Sequence, residues 1–174
     1  MTSLEPDTPS WTLRHALRPG DIGEIVRLHG VVYAREHGFD STFEAYVAGP
    51  LAEFVRAGRP RDRLWVAERE DRIVGCVALV EASETEAQLR WFLVDPPARG
   101  LGLGRGLLGE AVGFARSQRY ESVFLWTVSA LKAAAHLYQA VGFVKVEDVP
   151  GRRWGVEVCE ESHRLTLGSP PEVE

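Results

Sequence analysis

Residues 96–110 read PPARGLGLGRGLLGE, with glycine at 100, 102, 104, 106 and 109 and arginine at 99 and 105. Alternating glycines open the main chain to close approach, and consecutive N–H groups at the start of a helix suit a phosphate. Three arrangements compete. A Walker A loop needs G-x-x-x-x-G-K-[ST], with the lysine reaching the outer phosphates. Gly104 and Gly109 have that spacing, but Glu110 stands where the lysine must be. A dinucleotide fingerprint G-x-G-x-x-G matches Gly104, Gly106 and Gly109. It requires its first glycine directly after a strand, and an acidic residue ending the next strand. Here the strand ends near Asp95, and the next one ends Trp126-Thr127 without an acid. The third arrangement sets the turn at residues 99–104, between a strand ending in Val94 and a helix beginning near Leu103. Its N–H groups and helix dipole converge on a pyrophosphate, and Arg99 or Arg105 adds a charge-assisted contact. A plain tight turn needs one or two glycines; four alternating ones each cost stability, which favours the ligand-binding arrangement.

The elements that hold this turn follow from periodicity. WTLRHALR (11–18) reads as a first strand, and Pro19-Gly20-Asp21 as a turn with Asp21 as helix N-cap. Ile22, Ile25, Val26, Leu28, His29, Val32 and Tyr33 recur at helical spacing, as do Phe43, Tyr46, Val47, Leu51, Phe54 and Val55 over 41–57. The period then changes to two. Residues 63–68 and 72–82 predict a hairpin joined through Glu70-Asp71, and 87–96 a third strand stopped by Pro96-Pro97. A helix follows to about Arg119. SVFLWTV (122–128) is a continuous apolar run, expected of a strand buried on both faces. Residues 130–141 predict a helix with Ser129 as N-cap and Gly142 as stop, and 143–147 and 162–167 two last strands. The order β-α-α-β-β-β-α-β-α-β-β is a mixed α/β sheet flanked by helices. Residues 11–167 are expected to form one domain between flexible ends at 1–10 and 168–174.

Composition excludes several function classes. The 174 residues carry a net charge of −5, and 18 of the 20 basic residues are arginine, so a phosphate-backbone binder with a basic face is not expected. No stretch approaches the roughly 20 apolar residues of a membrane span, and the start MTSLEPDTPSW lacks the pattern of a signal peptide. Cys76 and Cys159 form neither a metal spacing nor a disulfide framework. A cytoplasmic protein without a bound metal is expected.

The spacing R-x-x-G-x-G at Arg99, Gly102 and Gly104 resembles the coenzyme A loop of the GCN5-related N-acetyltransferases. The likeness extends over about residues 11–167: V-x-P-x-x-R-G-x-G-x-G from Val94 to Gly104, the helix after it, the strand VFLW, and A-x-x-L-Y-x-x-x-G-F from Ala134 to Phe143 fall in the family's order. Residues 29–47 also resemble acetyltransferases fused behind a MarR-type DNA-binding domain; no such domain is read in these 174 residues, so no regulatory role is expected from that relation. The resemblance implies the acyl-CoA N-acyltransferase fold and direct transfer of an acetyl group from acetyl-CoA, as co-substrate, to a primary amine. It places Phe92, Leu93, Val94, Arg99, Gly100, Leu101, Gly102, Leu103, Gly104 and Arg105 on the cofactor, with a backbone N–H of 92–94 facing the oxyanion. Tyr138 matches the tyrosine that protonates the leaving thiolate in the family. Where the family often has a pantetheine-contacting Asn, Val128-Ser129 stand, so Ser129 is the candidate, or else only a cap. Many members use a strand Glu as base, but Gln88 and Arg90 occupy that strand here; Glu84, Glu86, His37, His136, a water chain or a neutral substrate leave the base open. Acceptor contacts are expected from Tyr33, Glu36, His37 and Phe39, with Trp91 and Trp154 as walls, Phe43 and Tyr46 as core, and a loop at 148–161 overhead. An amine substrate, no nucleic acid, no membrane, and a homodimer paired through SHRLTL complete the expectations. The missing Glu and Asn leave a catalytically inactive acyl-CoA-binding sensor as the alternative.

Overall fold

The computed structural model describes residues 11–168; residues 1–10 and 169–174, expected as flexible ends, lie outside the described residues. The chain runs β1 (Thr12–Arg14), α1 (Asp21–His37), α2 (Ser41–Ala57), β2 (Arg63–Arg69), β3 (Arg72–Glu81), β4 (Glu86–Val94), α3 (Leu103–Ser117), β5 (Ser122–Val128), α4 (Lys132–Val141), β6 (Val144–Arg153) and β7 (Val156–Thr166). A 3-10 turn at Pro96–Ala98 follows β4. One seven-stranded sheet takes the order β1-β2-β3-β4-β5-β7-β6. β4 and β5 are its parallel pair, and every other neighbour is antiparallel.

Each face of the sheet carries its own apolar core. Leu103, Leu107, Leu108, Ala111 and Ala115 of α3 pack with Val77, Leu79, Leu89, Val123, Leu125 and Tyr138. On the other face Ile25, Leu28 and Val32 of α1 and Phe43, Val47 and Leu51 of α2 pack on Val66, Cys76, Ala78, Trp91 and Leu93. The helical stripes read from spacing are these two sets, a period of about 3.6 residues meeting a flat sheet.

Several expectations are corrected. The first strand is only three residues long. Gly20 caps α1 with φ +96°, and Asp21 is the first helical residue, its carboxylate taking both Arg14 nitrogens and the Arg18 N–H. Leu131, not Ser129, is the N-cap of α4. β5 is not buried on both faces: Trp126 is 40% exposed, because that side of the strand opens on a cavity. The expected loop at 148–161 is a long ribbon, β6 pairing β7 from Val144↔Arg164 to Arg153↔Val156. SHRLTL lies inside the sheet between β5 and β6, so the free edge beside it is β6.

Two features of β4 make the site. Trp91 and Phe92 together stand opposite Val77, a bulge that puts Trp91 at φ +48° and turns its carbonyl onto the Cys76 thiol at 3.1 Å. Such a bulge re-aims the side chains after it. β4 also leaves β5: their pairing runs from Glu86↔Ser122 to Leu89↔Leu125 and stops, while β5 stays on β7 to Val128↔Glu160. The sheet is thereby opened between residues 90–94 and 126–128.

Candidate active site

The opening leads into a cavity of about 920 Å³, lined from α1, α2, the second half of β4, the turn before α3, the end of β5 and α4. Its first wall is main chain. Gly100 and Gly102 lie at φ +78° and +81°, a region that side chains other than glycine occupy at a cost. Gly102 caps α3 without any side-chain bond, and the first turn holds no acid. The N–H groups of Leu103, Gly104 and Arg105 have no carbonyl four residues back within the helix, so they are available donors with the positive end of the helix dipole behind them. Gly104 serves packing: a Cβ there would stand 2.8 Å from Leu137 Cδ1 and 3.4 Å from Phe92 Cζ. Arg105 and Lys132 line the same cavity and are exposed.

Arg99 is placed differently from Arg105. Its guanidinium donates to both carboxylate oxygens of Glu36, at 2.7 and 3.0 Å, and its Nε to the Val94 carbonyl at 3.1 Å. The arginine expected on a phosphate therefore also fastens the loop to the end of α1.

Tyr138 projects from α4 into the cavity and is 5% exposed. Phe92, Phe143 and His163 surround its ring at 5.7, 5.9 and 6.0 Å. Burial, with the Tyr33 phenol adding to it, pushes the Tyr138 hydroxyl far above its ordinary pKa. A phenol held neutral in this way is a proton donor throughout the physiological range.

Opposite, α1 presents His29, Tyr33 and His37 one turn apart, with His29 and Tyr33 stacked at 6.1 Å. His29 Nδ1 contacts the Ile25 carbonyl at 2.8 Å. Burial lowers the His29 pKa to about 4, outweighing that bond, so the ring is neutral and Nδ1 carries the proton. The Nε2 atoms of His29 and His37 are both buried without a hydrogen-bond partner among the described residues. Phe39, Phe43, Tyr46 and Trp154 form one aromatic cluster with centroids 5.0–6.1 Å apart. Trp154 is delivered by the β6–β7 turn, where it sits at φ +51° before Gly155; the Asp40 N–H donates to its carbonyl at 2.9 Å and fixes the ribbon over α2.

Of the residues expected on the cofactor, Phe92, Leu93, Val94, Arg99, Gly100, Gly102, Leu103, Gly104 and Arg105 line the cavity. Leu101 does not and is 53% exposed, since its neighbours' αL geometry turns it outward. Ser129 does not either: it sits in the turn after β5, its N–H donating to the Cys159 carbonyl at 2.9 Å. Tyr33, Glu36, His37, Phe39 and Tyr138 all reach the cavity, as do Trp91, Trp154 and His136. Tyr46 lines it too and is 47% exposed, so it is wall rather than core. Glu84 and Glu86 lie outside, and Glu86 is bound to Arg164 and Ser122. The sequence reading missed His29, Trp126 and Glu160. His29 carried a signal, its spacing of four from Tyr33 and eight from His37; the other two depend on the sheet opening and the ribbon.

The chain is similar to several known proteins. A family model described as "Acetyltransferase (GNAT) family" matches residues 28–143. Human N-acetyltransferase 8B is 37% identical over 86 residues, 47% of this chain and 38% of that protein. The chain thus spans well under half the length of that relative. An uncharacterized N-acetyltransferase of Schizosaccharomyces pombe is 31% identical over 118 residues, 66% of this chain and 72% of that one. In fold, yncA from Salmonella typhimurium, a protein assigned as an acetyltransferase and solved with its cofactor acetyl-CoA, superposes with a TM-score of 0.76 at 18% identity, covering 95% of this chain and 98% of the other. The open strand pair, the glycine turn at the start of α3 and the sequence match agree: the chain belongs to the GNAT family of acetyltransferases.

Proposed function

We propose that the chain transfers the acetyl group of acetyl-CoA to a primary amine by direct attack within a ternary complex. The observation that carries this reading is a single cavity holding a helix N-terminus of free N–H groups, the unpaired edge of β4 and a buried phenol. Residues 100–105 would hold the pyrophosphate, with Arg105 adding charge. The edge of β4 at residues 92–94, freed from β5, supplies N–H groups for the developing oxyanion. The amine nitrogen attacks the thioester carbon, the carbon–sulfur bond breaks and the thiolate takes the Tyr138 proton, while the proton shed by the nitrogen on becoming an amide returns through water to the Tyr138 oxygen. With Glu84 and Glu86 outside the cavity and His37 Nε2 buried without a hydrogen-bond partner among the described residues, the amine loses its proton to water, to the exposed His136 of the same cavity, or before it binds.

Tyr33, Glu36, His37 and Phe39 form the acceptor wall, closed by Trp154. A homodimer formed by strand pairing on this side of the sheet would use β6. The likeness of residues 29–47 to MarR-fused acetyltransferases adds no regulatory role.

Titration with acetyl-CoA, CoA and NAD, followed by thiol release over a panel of amines, tests the reading. Binding of the two CoA species, with amine-dependent thiol release, is expected. Binding without release for any amine overturns turnover, and preference for NAD overturns the cofactor.

A further inference from the structure

Among the described residues three cations of the cavity lack a counter-charge, and of these Arg105 and Lys132 are exposed to solvent whereas Arg90 is half-buried. Arg90, half-buried on β4, lines the cavity on the α1–α2 face. Its guanidinium lies 4.8 Å from the centre of the Trp91 ring, and the polar group it faces is the Tyr46 phenol. Among the described residues no carboxylate comes within ion-pair distance of it. The acids of the same cavity are engaged: Glu36 with Arg99 and Glu160 with Arg153 at 2.5 Å. Burial draws the Arg90 pKa down against the pull of Tyr46, which marks a cation partly stripped of water. A charge kept in that state without a partner is costly unless something arriving in the cavity supplies the partner.

Its position fits a substrate contact. Arg90 lies two residues before Phe92, within the roughly 7 Å that an extended strand would give, because the bulge at Trp91 shortens the path. One guanidinium–carboxylate contact followed by the few bonds of an amino acid covers that span. A guanidinium also presents two parallel N–H donors to a carboxylate, which a single ammonium does not. The surrounding walls, Tyr46, Trp91 and Trp154, are aromatic.

We propose that the acceptor is an amino acid with an apolar side chain, and that Arg90 binds its carboxylate while the amine faces the thioester; this rests on the acetyl-transfer reading above. The test compares matched pairs that differ only in the carboxylate: phenylalanine with 2-phenylethylamine, tryptophan with tryptamine, and leucine with isoamylamine. Thiol release gives kcat/KM for each, and calorimetry gives acetyl-CoA affinity in the same preparations. The wild type is expected to favour the amino acid of each pair at least tenfold. Arg90→Gln should cut that ratio about tenfold or more, through KM of the amino acid, and Arg90→Lys should restore part of it. Because the readout is a ratio within one preparation, partial misfolding of a variant does not imitate it. Equal or better use of the decarboxylated amines, an unchanged ratio in Arg90→Gln, or no turnover of any amino acid by a protein that binds acetyl-CoA overturns the proposal. Failure to bind acetyl-CoA strikes the cofactor reading instead.

Discussion

At the end of the cavity proposed for the cofactor the donors are main-chain N–H groups of residues 103–105, held by a turn in which Gly100 and Gly102 take positive φ. At the end proposed for the acceptor the polar groups are side chains, brought from α1, β4 and the β6–β7 ribbon. The first end depends on local backbone geometry and is written in fifteen consecutive residues. The second depends on a bulge at Trp91, the departure of β4 from β5 and a turn at Trp154. A change at the first end should therefore act on cofactor affinity, and a change at the second on the acceptor. Tyr138 stands between them and should act on neither affinity.

That intermediate position gives the largest expected effect. Tyr138→Phe keeps the ring contacts with Phe92, Phe143 and His163 and removes only the hydroxyl that carries the proton. A fall in kcat of about a hundredfold or more is expected, the scale of general acid catalysis, with acetyl-CoA affinity by calorimetry unchanged. Loss of affinity in parallel with kcat would make Tyr138 a packing residue. Gly104→Val comes next. Its branched side chain enters the 2.8 Å gap to Leu137 and the 3.4 Å gap to Phe92, pushing α4 from the start of α3. Acetyl-CoA binding should weaken roughly tenfold, about 1.4 kcal/mol, and the melting temperature should drop. Gly109→Ala, in open space on the same helix, should do neither.

The same contrast explains what the sequence made legible. The strand–turn–helix at 94–104 and both helical stripes were readable because period and turn chemistry are local signals. The resemblance then placed the cavity around them. Ser129 failed because capping was read from residue type, whereas the turn after β5 is set by pairing to Cys159. The ribbon was read as a loop because Pro150, Gly151 and Gly155 interrupt its pattern, although the strand register passes through Pro150↔Cys159 and Gly151↔Val158 and Gly155 lies in the turn. Tyr46 was expected inside because its spacing matched Phe43 and Val47; the cavity removes the sheet it would have packed on. Arg90 was visible as a departure from the family's strand, but its isolation from the carboxylates of the described residues is a tertiary fact.

His29 tests how the acceptor wall is held. Its pKa is about 4 in the folded protein against 6.5 ordinarily, because burial penalises the charged ring. The unfolded chain therefore takes up the proton first, and the folded state loses stability as pH falls from 6.5 towards 4. The loss approaches about 3 kcal/mol, since each pKa unit corresponds to about 1.4 kcal/mol. Urea unfolding between pH 7.5 and 4.5 should show this slope, and His29→Gln should remove its share. A slope unchanged in the variant assigns the acid sensitivity to carboxylates such as Asp21, whose Arg14 and Arg18 bonds hold its pKa low in spite of burial.

The smallest effect belongs to Glu36, where the two ends of the cavity meet. Its carboxylate is shared between Arg99 of the turn and the open space of the acceptor wall, with about a third of the side chain exposed. An exposed ion pair contributes under about 1 kcal/mol, so Glu36→Gln should leave the fold intact. Freed from Glu36, Arg99 is able to turn toward a phosphate, which strengthens acetyl-CoA binding or leaves it unchanged. On the proposed acceptor wall the amine would then lose a carboxylate to pair with, and acceptor KM should rise by a few fold. These opposite signs separate the two roles of one residue. A weaker acetyl-CoA complex in Glu36→Gln would show that the pair with Arg99 shapes the cofactor turn. In that case the boundary between the backbone-built and side-chain-built ends lies further along α1, toward Tyr33.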